Sequence, residues 1–216
     1  MLKGAIFDMD GLMFDTEQVW QKNWKLIAEE MGITLDPAFS KSISGTSGRL
    51  MDEVIEKFYH VENGNPIAKD CIRRVHEDLA EFVPEKKGIH EILEYFKENG
   101  VKIAVASSSS EEMIRRNLKN TNTEGYIDAV ISGQNVAHGK PEPDVFLKAA
   151  EMIGIDPKEC YVFEDAFNGV KAGYAAGSRT IMIPDMNQPT EEIRAIAAGV
   201  YDSLLDVVEA LKKEEI

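Results

Sequence analysis

Short apolar runs alternate along this chain with stripes of apolar residues spaced three and four apart. Runs of strand length fall at Ala5–Phe7, Val101–Ala106, Ala129–Ile131, Tyr161–Phe163 and Thr180–Ile183. Between the later runs lie helical stripes. Ile89, Ile92, Leu93 and Phe96 form one, stopped by Gly100. Met113, Ile114 and Leu118 form a second, and Val145, Phe146, Ala149, Ala150 and Ile153 a third, stopped by Gly154. Val170, Ala172, Tyr174 and Ala175 form a fourth, stopped by Gly177, and Leu204 to Leu211 carry a last one. Strands alternating with helices of this length predict βαβ units and an α/β fold around a Rossmann-like parallel sheet.

From Thr16 to about Lys87 the pattern changes. Trp20, Trp24, Ile27 and Met31 recur at helical spacing, as do Leu50, Val54, Ile55 and Phe58, and then Ile72, Val75, Leu79 and Phe82. No segment there reads as a strand. A small α-helical bundle, inserted between the first strand and the rest of the sheet, accounts for this. Residues 1–15 and 88–216 would then form the α/β core, and residues 16–87 a helical cap. Turn and breaker residues collect at both borders, at Asp15-Thr16 and from Pro84 to Gly88. An insertion directly after the first strand's loop would sit over that loop as a lid.

Charge narrows the range of partners. The 216 residues carry a formal net charge of −14. That argues against a nucleic-acid partner, whose phosphates need clustered Lys and Arg, and against an anionic membrane surface. An acidic protein that handles phosphate must concentrate positive charge locally, through a metal or a few placed cations. The two cysteines, Cys71 and Cys160, lie far apart and suit a reducing compartment, so a cytoplasmic location is expected. No basic, apolar leader is visible, and no apolar run approaches the roughly 20 residues a membrane helix requires.

Candidate chemistry sits where predicted strands end. In open parallel sheets, ligands bind outside the carboxyl ends of the strands. After the first strand comes Asp8-Met9-Asp10-Gly11. After Val101–Ala106 comes a serine run, Ser107 to Ser110. Gly139-Lys140-Pro141-Glu142-Pro143 follows the third strand at some distance, and Glu164-Asp165-Ala166-Phe167-Asn168-Gly169 follows the fourth. Each has a plainer account alone: a solvated turn, an N-cap, or the acidic start of a helix. Together they supply four carboxylates, hydroxyls at a helix start and one lysine, a set suited to phosphoryl transfer. Oxygen ligands suit Mg²⁺. Hydroxyls and N–H groups at a helix start suit phosphate oxygens. A carboxylate can act as a nucleophile, and a lysine can offset developing negative charge.

With these motifs the chain resembles the haloacid dehalogenase-like hydrolases, in particular the helical-cap subfamily of phosphoglycolate phosphatase-like and β-phosphoglucomutase-like enzymes. Asp8-Met9-Asp10-Gly11 with Asp15-Thr16-Glu17 matches the first motif, Ser107 the second, Lys140 the third and Glu164-Asp165 the fourth. The resemblance implies that Asp8 attacks phosphorus and becomes phosphorylated, and that Asp10 protonates the leaving oxygen and later activates water. It implies Mg²⁺ held by Asp8, the Asp10 carbonyl and Asp165, with Glu164 close or bound. Phosphoryl oxygens would be held by Ser107, the Ser108 backbone and Lys140.

Substrate choice is expected from the cap. Gly45-Thr46-Ser47-Gly48-Arg49 is a polar loop carrying one cation, which makes Gly45 and Arg49 candidates for contact with a second anionic group. Thr16 and Glu17 are candidates lining the cleft. Two departures from the resemblance stand out. Mutase-type members carry a histidine on the first cap helix where this chain has Trp20, and Lys86-Lys87-Gly88 replaces a common Pro-Gly. The expected function is hydrolysis of a small phosphorylated metabolite, such as a sugar phosphate, by a monomer. A sugar phosphomutase is the alternative, and a non-catalytic module on the same fold is a third reading.

Overall fold

The structure is a computed structural model that describes residues 2–44, 46 and 48–216. The chain divides into two compact units. One comprises Met1–Asp15 and Pro84–Ile216, and the other comprises Thr16–Val83.

The first unit is built on a six-stranded, all-parallel sheet of order β3-β2-β1-β4-β5-β6. The strands are β1 (Gly4–Phe7), β2 (Lys102–Ser107), β3 (Ala129–Ser132), β4 (Cys160–Glu164), β5 (Arg179–Met182) and β6 (Gly199–Val200). The last of these was invisible in the sequence, because two half-buried residues carry no periodic signal. Strand β2 also runs one residue beyond the apolar stretch. Ser107 is its last residue and is 1% exposed, so the hydroxyl leaves the sheet at a fixed position.

The order of the strands reverses at β1, between β2 and β4. Such a reversal opens the crevice in which α/β sheets bind ligands. Alternation along the central strands assigns each side chain to a face. Phe7 and Phe163 are register partners on one face, with ring centroids 4.7 Å apart. Phe96 of α5 (Ile89–Glu98) packs against both. Ile6 and Val162 point the other way, against Val145, Phe146 and Ala149 of α7 (Asp144–Ile153). With α5 and α7 on opposite faces, the loops at the strand ends are left at the rim. Helices α6 (Glu111–Asn120), α8 (Phe167–Ala175), α9 (Glu191–Ile196) and α10 (Leu204–Lys212) complete this unit.

Among its described residues the second unit is helical: α1 (Thr16–Glu30), α2 (Ala38–Ile43), α3 (Gly48–Tyr59) and α4 (Asn65–Glu81). Its core joins Trp24, Phe39 and Tyr59, with Phe39 edge-on to both other rings. The Tyr59 hydroxyl donates to the Trp24 carbonyl at 2.6 Å, satisfying a buried polar tip. Among the described residues no helix is long and apolar enough to cross a membrane.

Candidate active site

The four loops named from the sequence meet at the carboxyl edge of the sheet. Strand pairing carries straight into the first: the Asp8 N–H donates to the Phe163 carbonyl at 3.0 Å. The chain then turns tightly. The N–H groups of Met13 and Phe14 donate to the Met9 carbonyl, and that of Gly11 to the Phe14 carbonyl. Gly11 has φ +88°, and a Cβ there would lie 2.5 Å from Asp165 Oδ2. Only glycine permits both that backbone and the approach of Asp165.

Lys140 stands at the centre. Its Nζ donates to Asp8 Oδ1 at 2.5 Å, to Glu164 Oε1 at 2.6 Å and to the Ala106 carbonyl at 3.3 Å. All three ammonium protons are thereby used. The Lys140 side chain is 10% exposed and that of Glu164 1%. Nζ also lies 4.9 Å from the centre of the Phe146 ring. Burial works against the Lys140 charge, yet the adjoining carboxylates of Asp8 and Glu164 outweigh it and hold the ammonium above its ordinary range.

The carboxylates feel the opposite pressure. Burial, followed by repulsion from Glu164 and Asp10, pushes Asp8 up to about 8 against the pull of Lys140. Burial, with Glu164 and Asp8 next, also raises Asp165 well above the usual carboxylate range. Oxygen atoms of Asp8, Glu164 and Asp165 all lie within 4.8 Å of one another. One lysine does not balance three acids packed this closely. Their hard oxygen donors and surplus negative charge fit a small divalent cation.

Within this trio the two fourth-loop acids differ. Glu164 is saturated by the protein: Oε1 takes Lys140, and Oε2 accepts from the N–H groups of Asp165 and Ala166, each at 3.0 Å. Its carboxylate also lies where a Cβ on Gly169 would have to sit. Asp165 carries no such clamp and lies against Gly11. Of the two, Asp165 is the better placed to ligate.

Asp10 is held by the serine run. Its Oδ2 accepts from the Ser107 hydroxyl at 3.1 Å and the Ser109 hydroxyl at 2.8 Å. Ser107 Oγ in turn accepts the Ser109 N–H at 3.0 Å. Ser110 caps α6 and Ser132 holds the Ser109 carbonyl. The serine run is thus a scaffold for Asp10 as well as a set of hydroxyls. Ser108 is exposed and, with Gly133, Gln134, Gly139, Lys140 and Val145, lines a recess of about 150 Å³ beside the lysine. His138 is drawn away to Asp144, 3.0 Å from its Nδ1.

The cap candidates belong to the other unit. Glu17 accepts from Gln21 at 2.6 Å and from Ser44 at 2.7 Å, and Thr16 is buried. Arg49 lies along its own helix, paired through Nε with Glu53 and through both terminal nitrogens with Glu56. Gly45 lies outside the described residues. Sequence reasoning named Ser109 and Gly169 only as members of their loops, without a role of their own, and passed over Asp185, which carries no local signal.

A family model described as haloacid dehalogenase-like hydrolase matches residues 5–183, and the chain belongs to that family. It is 30% identical over 188 residues to the phosphorylated carbohydrates phosphatase of Thermotoga maritima, covering 83% of this chain and 84% of that protein. It is 33% identical over 188 residues to the β-phosphoglucomutase of Bacillus subtilis, covering 82% of this chain and 80% of that enzyme. The crystal structure of β-phosphoglucomutase from Clostridium difficile superimposes with a TM-score of 0.77 at 24% identity, covering 99% of this chain and 96% of that one. That last likeness is one of fold.

Proposed function

We propose that this protein is a Mg²⁺-dependent phosphatase that hydrolyses a small phosphorylated metabolite, of the sugar phosphate class, through a phosphorylated Asp8. The observation that carries the reading is Lys140 held 2.5 Å from Asp8 and 2.6 Å from Glu164 beside Asp165. This geometry supports reading Asp8 as the nucleophile, Lys140 as the fixed cation and the three carboxylates as a cation-binding set at the carboxyl rim of the sheet. Asp8, Asp165 and the Asp10 carbonyl would hold the ion, with Glu164 keeping Lys140 in place. Bound there, Mg²⁺ supplies positive charge that reduces repulsion between carboxylate and phosphate.

The chain's own groups account for the rest. An Asp8 oxygen attacks phosphorus while Lys140 stabilises charge on the transferring group. Ser107 and the Ser108 backbone hold phosphoryl oxygens. Asp10, held by two serine hydroxyls, gives a proton to the leaving oxygen and later takes one from water. The helical insertion, residues 16–87 by its sequence pattern and Thr16–Val83 as a compact unit, is read as a cap domain for the α/β core. Closure would exclude water during the first step, with Thr16, Glu17, Gly45 and Arg49 as candidate substrate contacts. The reading is of a monomer acting on metabolites in the cytoplasm.

Phosphate release from a panel of sugar phosphates, with and without Mg²⁺, tests this. Turnover should require Mg²⁺, vanish in Asp8→Asn and fall sharply in Asp10→Asn. Retained hydrolysis by purified Asp8→Asn would refute the mechanism. Similarity to the Bacillus β-phosphoglucomutase favours a second reading, a mutase using the same phosphorylated aspartate. Trp20, standing where mutase-type members carry histidine, weighs against it. Isomerised sugar, formed from β-glucose 1-phosphate with a bisphosphate primer, would decide for the mutase.

A further inference from the structure

One more carboxylate lies on the loop next to that of Glu164 and Asp165, just past the end of the neighbouring strand. Met182, the last residue of β5, is in register with Glu164, and the Ile183 N–H donates to the Glu164 carbonyl at 2.8 Å. The chain after β5 is thus still held against β4 where Asp165 begins. Asp185 lies two residues past Ile183, on the loop beside the one that carries Asp165. Its partner is Lys86, with Nζ 2.6 Å from Oδ1, and the two side chains are 23% and 16% exposed.

Lys86 reaches Asp185 from a backbone that is itself fixed. The Lys86 N–H donates to the Met13 carbonyl at 2.9 Å, and the Asp15 N–H to the Pro84 carbonyl at 2.8 Å. Phe14 pairs antiparallel with Glu85. Residues 13–15 and 84–86 therefore form a short ladder at the points where the chain leaves and re-enters the sheet unit. From this ladder the same ammonium also lies 3.8 Å from Asp15. The most direct effect of a charge pair on the loop beside that of Asp165 is on whatever cation Asp165 holds.

We propose that Lys86 and Asp185 are positioning residues for the divalent-cation site, Asp185 placing a negative charge beside Asp165 and Lys86 cancelling it. The proposal rests on the Mg²⁺ reading above. It gives opposite signs for the two single substitutions. Removing Lys86 leaves a bare negative charge near the ion and tightens binding. Removing Asp185 leaves a surplus positive charge and loosens it, more weakly because Asp15 still faces the ammonium. Removing both restores near-neutral balance. A pair that served only as a structural brace would lower stability without this reversal of sign.

Calorimetric titration of the full-length protein with Mg²⁺ tests the idea in wild type, Lys86→Met, Asp185→Asn, the double variant and Lys86→Arg. Lys86→Met should lower Kd by about threefold or more, and Asp185→Asn should raise it by about twofold. The double variant and Lys86→Arg should stay within about twofold of wild type. Lys86→Gln substitutes for Lys86→Met should the latter fail to fold. Shifts in one direction for both single variants, or no shift in either, would overturn the proposal while the Mg²⁺ reading stood. No Mg²⁺ binding by the wild type would remove both.

Discussion

Gly169 shows how a single hydrogen atom can matter to the site. It lies inside α8, where replacing glycine by alanine ordinarily stabilises a helix by about 1 kcal/mol. Here the added methyl would overlap the Glu164 carboxylate. That carboxylate cannot step aside, because Lys140 holds one oxygen and the N–H groups of Asp165 and Ala166 hold the other. Gly169→Ala should therefore reverse the usual sign and destabilise by about 1–3 kcal/mol. Turnover should fall with it, since Lys140 would lose one of its two carboxylate partners. Urea denaturation and steady-state kinetics check both parts. An alanine variant as stable and active as wild type would show that Glu164 is freer than its contacts indicate.

At the scale of elements, helices of the insertion are tied by more than their apolar stripes. Asp78 on α4 accepts from Lys22 and from Asn23 on α1, each at 3.0 Å. Asn23 is itself 3% exposed. The Lys22 contact, then that of Asn23, lowers the Asp78 carboxyl below its ordinary value. A carboxylate depressed in the folded state stabilises above its unfolded value, and that contribution is lost as pH falls through the folded one. Asp78→Ala should thus cost about 1 kcal/mol near pH 7, the worth of a partly buried hydrogen bond. The deficit relative to wild type should shrink once pH falls below about 4. Thermal melts of the two proteins across that range provide the measurement, and a deficit independent of pH would rule out the ionic component.

At the scale of the whole molecule, the sheet unit holds unlike tendencies at one rim. Its interior of Ile, Val and Phe favours folding, whereas crowding Asp8, Glu164 and Asp165 around Lys140 opposes it. Such sites keep local repulsion for function and lose stability by it. In the absence of divalent cation, Asp165→Asn should be at least as stable as wild type, because one half-buried repulsive charge is gone. Mg²⁺ at about 100 times its Kd should then stabilise wild type by about 2.7 kcal/mol and Asp165→Asn by far less. Differential scanning calorimetry with Mg²⁺ and with chelator gives the comparison. Equal Mg²⁺ shifts in both proteins would show that Asp165 does not hold the ion.

What could be read in advance was whatever burial writes locally. Apolar runs such as Tyr161–Phe163 marked strands, since a strand covered on both faces must be apolar throughout. The three- and four-residue stripes between them marked helices, and those from Trp20 to Leu79 marked a helical stretch, because one buried face repeats every turn, although Met31, Leu50 and Phe82, counted with them, are exposed. Glycines at 100, 154 and 177 marked helix ends through their left-handed backbone. Short or weakly periodic elements such as β6, α2 and α9 escaped notice.

The distances were beyond that reach. Lys140 meets Asp8 across 132 positions of chain, and Lys86 meets Asp185 across 99. Neither separation leaves a periodic trace, because such contacts follow from the order in which strands lie side by side. That order also decided that Glu164 clamps the lysine while Asp165 faces Gly11, a division of labour that two adjacent acids in a row of letters do not reveal. Composition and spacing named the chemical groups. Packing of the parallel strands, with each loop delivered to the same rim, set which of them touch.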